Sequence, residues 1–488
     1  MNTTSFGGLN YAILGIYMLS LISIGLWLAR KQESSEDFYL AGRRMPWLPV
    51  AMSMYASATS ASTFIGLPGI AFDSGVAILG ACVVSLLLVP ILAGVLYPTY
   101  RRMNCTTSYE YIGSRFGQNA RFATSALFIL ARLGWLGIVV YAPAKALSIA
   151  TGMELSYAIL VIGSFATAYT ALGGLAAVIW TDVLQFCILV AGAGWVFVSL
   201  AGTVPNGFSE IISISRSADH FNAITWGVTL TQISTVSVML HFSLQMLQEY
   251  GTDQLSVQRI LAVSSTRGAV KATIFNAFTD LVMISTLLLI GLGLFVFYQQ
   301  NPQALNGVDG DSVLAHYIVT QLPNGVSGLI ISAIFAAAMS SMDSGINSIA
   351  TVIENDFLKH FRKDRPATNP IRQARVMTVI LGGVAIALAF YVAANGGGIV
   401  QQFAKFMSLF TAPVLALFVL GFMCRRANVN GWYIGTALAI PVTMYLQKYS
   451  DVHWTWYYPA SFGLCVVAAL LYSTLRPNRR PVDPVQAG

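Results

Sequence analysis

Charge is what this sequence has least of. Asp, Glu, Lys and Arg together make up 10% of its 488 residues, where soluble domains carry about 25%. That scarcity excludes an ordinary soluble enzyme. With 56% hydrophobic residues and a mean hydropathy of +0.67, the chain is equally remote from disordered proteins. Cysteine is scarce too. Cys82, Cys105, Cys187, Cys424 and Cys465 are scattered, with no CxxC pair, which leaves them as small hydrophobes rather than a metal site or a disulfide frame. No Lys or Arg precedes the first apolar segment, so that segment lacks the basic stretch of a signal peptide and is expected to remain in the mature protein. No stretch between the apolar segments is long enough to fold alone. The longest are 203–230 and 300–325, and 475–488 reads as a short cytoplasmic tail.

What is present is a succession of long apolar runs. A bilayer core requires roughly 20 apolar residues per helix. Thirteen segments meet or approach that length, at about 10–28, 47–72, 76–98, 120–148, 155–173, 175–202, 231–250, 270–299, 326–353, 375–394, 401–423, 430–447 and 454–474. The reading is an all-α polytopic membrane protein, a single transporter-like domain embedded in the lipid bilayer. Charge placement sets the orientation, because Lys and Arg accumulate in cytoplasmic loops. With the N-terminus outside, 22 of the 27 basic residues fall in or beside inner loops, among them Arg30, Lys31, Arg43, Arg44, Arg101, Arg102, Arg259 and Arg267. The 301–325 loop, placed outside, has no Lys or Arg. Thirteen N-out, C-in spans follow, and the net charge of +7 is then an orienting charge, not a nucleic-acid surface.

Polar groups inside the bilayer are costly and mark pathways. Segment two carries six Ser and Thr in the eleven residues Ser53–Thr63. Hydroxyls compete with the helix for its backbone bonds, so this run can unwind and present bare carbonyls, or pack tightly through small residues. Segment seven ends in Gln248, Glu249, Tyr250, Gly251, Thr252 and Asp253, either an exit to water or a second interruption. Segments two and seven each begin a set of five spans, 47–202 and 231–424. Interruptions at matching places of two halves point to a transporter with inverted repeats and a midplane site. In segment nine, Ala337, Ser340, Ser341, Ser344, Asn347 and Ser348 recur every three or four residues on one helix face, bordered by Asp343. Such a stripe of oxygens suits a hard cation. Asp182 follows Trp180-Thr181 early in segment six, as a site acid or a helix start. Asp280, Arg132 and Lys405 read as structurally paired charges, and His241 as a core histidine. No nucleophile–base or metal-ligand set appears in the spans, so the chain reads as no enzyme.

These residues resemble a known family. The stretch Gly163-Ser164 to Gln185, with Tyr169-Thr170-Ala171-Leu172-Gly173-Gly174 and Trp180-Thr181-Asp182, is similar to the signature of the solute:sodium symporter family. So are Tyr250–Gln254 with Val257-Gln258-Arg259, the Ala-Ala-Ala-x-Ser-Ser run at 336–341, and Arg425-Arg426-Ala427-Asn428. The resemblance spans essentially the whole chain. It implies the LeuT-type fold, with inverted five-helix repeats at 47–202 and 231–424, an extra helix at 10–28 and two more at 430–474. It implies one or two sodium ions per cycle, in a bacterial inner membrane. The first ion would take the carbonyls of Ala56, Thr59 and Ala337 with the hydroxyls of Ser340 and Ser341. A second would lie near Asp182, Ser340 and Ser344, where Asp343 departs from the expected hydroxyl.

Several stretches resemble bacterial sialic-acid and sugar members. The sialic-acid members place an arginine in the fourth span and a glutamine in the third, where this chain has Trp135 and Cys82. Ser60, Thr63, Trp135 and Gln248 would line a solute site suited to a sugar, a small carboxylate or a vitamin. The expected function is sodium-coupled import of a small organic solute by alternating access, with no obligate protein partner. The rival is a sensory membrane domain of the same family, which requires a kinase module that the tail is too short to supply.

Overall fold

The structure, a computed structural model, describes residues 7–29, 39–221, 227–305, 307–362, 369–395 and 399–476. Arg30, Lys31, Lys363, Arg365, Arg479 and Arg480, expected in inner loops, lie outside them, as does the tail beyond 476. The described residues are helical throughout, with no strand beyond one isolated bridge. The helices are α1 (Gly8–Ala29), α2 (Trp47–Ala58), α3 (Ala61–Ser74), α4 (Ala81–Ile91), α5 (Tyr109–Phe116), α6 (Gln118–Thr151), α7 (Leu155–Thr203), α8 (Gly207–Ser217), α9 (Thr235–Gly251), α10 (Gln254–Ala262), α11 (Thr266–Gln300), α12 (Gly310–Gln321), α13 (Val326–Val352), α14 (Pro370–Asn395), α15 (Ile399–Met423), α16 (Val429–Tyr449) and α17 (Tyr457–Leu475).

Nine of the described helices are long and apolar enough to cross a membrane. The four expected segments outside that set have local causes. Segments two and seven are each split in two, as α2/α3 and α9/α10. Segment five is the shorter run Leu155–Ala171, separated from the rest of α7 at Gly174 (φ 60°, ψ 177°), a backbone conformation open essentially to glycine alone. Segment twelve is α16, which carries Asn430, Gln447 and Lys448. Outward faces hold large apolar side chains, among them Ile16, Leu19 and Trp27 on α1 and Val379, Ile380 and Tyr391 on α14. Water would not tolerate so many; lipid does.

Two successions run in the same order. α2/α3, α4, the short α5, α6 and the two parts of α7 are matched by α9/α10, α11, the short α12, α13, α14 and α15. The split helices are tied together where Met45, ahead of α2, exchanges backbone bonds with Ala262 (3.0 Å) and Ser264 (3.2 Å) after α10. α13 is the central helix: residues 330–352 are all buried, against α7, α6, α1 and α2. α11 lies against α3, and Gly291 makes that approach possible. A Cβ there would come within 2.4 Å of the Pro68 carbonyl oxygen. In the loop before α5, Cys105 is buried and its thiol is pushed up to about 12 by that burial, the behaviour of a small hydrophobe.

Beyond α13 the helix widens into a π-helical stretch, Ile353–Leu358, which turns Asp356 inward. Its carboxylate accepts from Thr107 (2.9 Å), Ser125 (2.5 Å) and Arg121 (2.6 Å). Three separate parts of the chain meet on one buried acid. Asp356→Ala would leave Arg121 without this partner, and breaking a buried pair costs about 3–5 kcal/mol. The purified variant should lose heat stability in detergent by that amount, whereas a midpoint equal to wild type would make Asp356 dispensable.

Candidate functional site

The interruption expected in segment two is a break of two residues. α2 stops at Ala58, Thr59 (ψ 91°) and Ser60 (ψ 169°) are extended, and α3 starts at Ala61. A helix end leaves its last carbonyls without intrahelical amides. Inside a membrane no bulk water takes their place. Here α13 supplies the donors. The Ser340 hydroxyl donates to the Ala56 carbonyl (2.6 Å) and the Ser341 hydroxyl to that of Ser57 (3.0 Å). Ser340 Oγ is also 3.1 Å from the Ala337 carbonyl. Ala56, Ala337 and Ser340 thus converge, with Ser341 one residue away. These neutral oxygens are movable, since a hydroxyl that donates to a carbonyl can turn a lone pair toward a cation instead.

The second break is capped differently. The carbonyls of Tyr250, Gly251 and Thr252 accept from Tyr97 (2.7 Å), Tyr100 (2.8 Å) and Ser108 (2.8 Å). Asp253 caps α10 by accepting from the Leu255 amide at 3.0 Å. Its other oxygen, Oδ2, lies 2.7 Å from Arg132 and accepts from the Gln248 amide at 2.9 Å. Arg132 is therefore paired, as expected. It also lies against the Trp135 ring, 4.4 Å from its centroid.

Asp182 is fully buried and accepts at Oδ2 from Ser53 (2.5 Å), Ser57 (3.1 Å) and Arg259 (3.1 Å). Arg259, expected in an inner loop, is instead wholly buried in α10. Its guanidinium bridges Ser53 (2.7 Å), Asp182 and Ser344. The motif contained Arg259, but nothing in its spacing told that α10 turns back into the bundle. Ser344 joins the group through Ser57 (2.9 Å) and Asp343 Oδ1 (3.1 Å), and Tyr169 donates to Asp343 Oδ2. Asp182 pairs with the guanidinium directly and Asp343 joins it through Ser344, and Asp182 Oδ1 has no hydrogen-bond partner among the described residues.

A cavity of about 100 Å³ lies beside the first break. Ser60, Thr63 and Trp135 line it, along with Thr59; Gln248 does not, because its amide is turned to Asp253. The face of α9 that meets the cavity holds His241, Gln245 and Glu249, four residues apart. That register was visible in the sequence, and the choice of Gln248 missed it by one position. Asp280 of α11 also lines the cavity, with no ion pair among the described residues. The pairing expected for it is absent there, replaced by donation from Ser85 and Tyr250, each at 2.8 Å.

The Arg259–Asp182 pair tests how this centre is held. Arg259→Met should cost about 3–5 kcal/mol, because it strands a buried carboxylate. Adding Asp182→Leu should recover much of that loss, read from thermal midpoints as a double-mutant cycle. Additive losses would mean that the pair does not couple.

The model of the sodium:solute symporter family matches residues 38–438. A sodium/sialic acid symporter of Aliivibrio fischeri is 31% identical over 99% of this chain and 97% of its own length. One of Proteus mirabilis is 30% identical over 94% of this chain and 93% of its own. The human sodium/iodide cotransporter is 29% identical over 91% of this chain and 70% of its own. Among solved structures, the substrate-bound, outward-open state of a Na+-coupled sialic acid symporter superimposes with a TM-score of 0.91 and 28% identity. That match covers 98% of this chain and all of the other. A nucleobase-cation-symport-1 family transporter shares the fold at a TM-score of 0.54 and 15% identity, over 91% of this chain and 96% of the other.

Proposed function

The chain belongs to the sodium:solute symporter family, and from that premise we propose how its residues couple sodium to a solute. The protein is a multi-pass symporter of the bacterial inner membrane, of LeuT-type fold, that uses sodium to carry a small organic solute; it is not an enzyme. Sodium is a co-substrate here, moved along with the solute.

In our reading thirteen spans run N-out to C-in, and repeats at 47–202 and 231–424 enclose the site. The first sodium binds the carbonyls of Ala56, Thr59 and Ala337 and the hydroxyls of Ser340 and Ser341. The observation that carries this is the direct linkage of Ser340 and Ser341 to the orphan carbonyls of α2. An ion there replaces two hydrogen bonds with one shared ligand and ties the broken helix to α13. Closing or opening that seam then depends on sodium, and Thr59 links the seam to the cavity because it lines the latter.

A second sodium lies among Asp182, Ser340, Asp343 and Ser344. Asp343 places a second carboxyl group beside the Arg259–Asp182 pair through Ser344, and Asp182 Oδ1, without a partner among the described residues, has a lone pair to offer a cation. Arg259 then does more than brace the fold, since it competes with the ion for Asp182 and Ser344. Each sodium moving down a 100 mV potential supplies about 2.3 kcal/mol before its concentration gradient is counted, so the second ion steepens the attainable solute gradient considerably.

Sodium should raise the melting temperature of the purified protein in detergent, and potassium at equal ionic strength should not. Equal response to both ions would defeat the sodium reading. Losing one oxygen from a dry site costs about 1–3 kcal/mol by analogy with an unmade buried hydrogen bond. Ser341→Ala should accordingly raise the half-saturating sodium concentration by roughly 5–150-fold. Asp182→Asn should halve the radioactive sodium bound per chain at saturation. Unchanged binding in Asp182→Asn would leave a single sodium position.

A further inference from the structure

We propose that the cavity beside the first helix break takes a solute bearing a positively charged amine or quaternary ammonium group. This rests on the symport reading and assigns the solute class. The charge of the lining carries it. Glu249 from α9 and Asp280 from α11 line the cavity, and among the described residues no Lys or Arg does. The nearest guanidinium on the same helix as Trp135 is that of Arg132, already committed to Asp253 at 2.7 Å and absent from the lining.

Asp280 is arranged as an acceptor with one oxygen in reserve. It is 4% exposed. Oδ2 accepts from Ser85 and Tyr250, each at 2.8 Å, and from Asn276 at 3.4 Å. Oδ1 accepts from no described residue, so a nearly buried carboxylate presents an unpartnered oxygen in a cavity wall. Buried charge without a counter-ion is costly. A cationic solute removes that cost on arrival; a neutral polyol leaves both charges uncompensated; a carboxylate adds like-charge repulsion.

The remaining lining agrees. His241 Nδ1 lies 3.2 Å from the Thr455 carbonyl; with the ring proton on Nδ1 it donates there and Nε2 is an acceptor. The walls include Trp135, Phe242, Phe403 and Trp454, and aromatic faces attract ammonium groups. Arg132 covers one side of the Trp135 ring and is itself held by Asp253; the remaining acceptors and π-faces form a receptor for a cation. No residue of α13 lines the cavity; of the ligands proposed for the first sodium only Thr59 does, and it is proposed to bind the ion through its carbonyl.

The solutes named for the relatives above are anions, sialic acid and iodide, so the test separates the classes directly. Purified protein in sodium-containing detergent is titrated with tetramethylammonium, choline and ethanolamine, with N-acetylneuraminic acid and pyruvate, and with myo-inositol and galactose. At least one of the three cations should raise the melting temperature, and the carboxylates should leave it unchanged. The same cation should enter proteoliposomes under an imposed sodium gradient. Asp280→Asn and Glu249→Gln should each raise its half-saturating concentration at least tenfold. If the more buried Asp280→Asn fails to elute as a single species, Glu249→Gln alone decides. A shift with a carboxylate or a polyol and none with the cations overturns the proposal, as does no shift with any of the seven. A cation response that persists unchanged in the folded variants also overturns it. The symport reading fails separately, if the wild type shows no sodium-dependent stabilisation at all.

Discussion

A helix interrupted inside a membrane exposes carbonyl groups that no solvent reaches, and the centre of this protein is built around that constraint. Each orphan carbonyl must find a donor or a cation within the bundle. At the α9/α10 break the donors are two tyrosines of the short helix Tyr97–Arg102 and a serine of the following loop, fixed by surrounding packing. At the α2/α3 break they are serine hydroxyls of α13, small groups that can exchange a proton donor for a lone pair. One break is stapled and the other is convertible. That difference is why we propose the cation site at the first break.

Charge follows the same division. Arg121–Asp356, Arg132–Asp253 and Arg259–Asp182 are pairs joining distant parts of the chain, and each holds elements whose relative position matters. Arg259 does this for α10, α2 and α7, Arg132 for α6 and the second break. Against these stand three acids in no ion pair among the described residues, Asp343 beside the Asp182 cluster and Glu249 and Asp280 in the cavity. A membrane protein keeps uncompensated acids at a cost. Their distribution, one beside the proposed coupling-ion centre and two in the proposed solute cavity, fits our proposal of a carrier that brings positive charge to both places.

Coupling needs the two places to communicate, and the distances are short in sequence. Ala56 and Ser57 receive bonds from α13, Thr59 and Ser60 line the cavity, and all four lie within five residues at the end of α2. A cation that rearranges the first pair necessarily moves the second, because a two-residue extended link transmits displacement with little slack. Tyr250 has the same double position at the other break, where its carbonyl is held by Tyr97 and its hydroxyl holds Asp280.

Membrane embedding, the helical succession and the likeness of two halves were legible in the sequence, because hydropathy, basic-residue placement and hydroxyl-rich or glycine-containing interruptions are local properties. The stripe of Ser340, Ser341 and Ser344 was legible for the same reason, since helix periodicity alone puts these residues on one face. Tertiary structure decided everything that depends on which face meets which. Gln248 and Glu249 are neighbours in the chain, yet one turns to Asp253 and the other to the cavity, a rotation of about 100° that composition does not encode. Arg259 looked like loop charge until α10 folded back beneath Asp182. Asp280 looked like half of an ion pair until its neighbours proved to be a serine, a tyrosine and an asparagine. Periodicity identifies the polar faces, but only the packing of α9, α11 and α13 against the broken helices determines which become partners and which line the cavity.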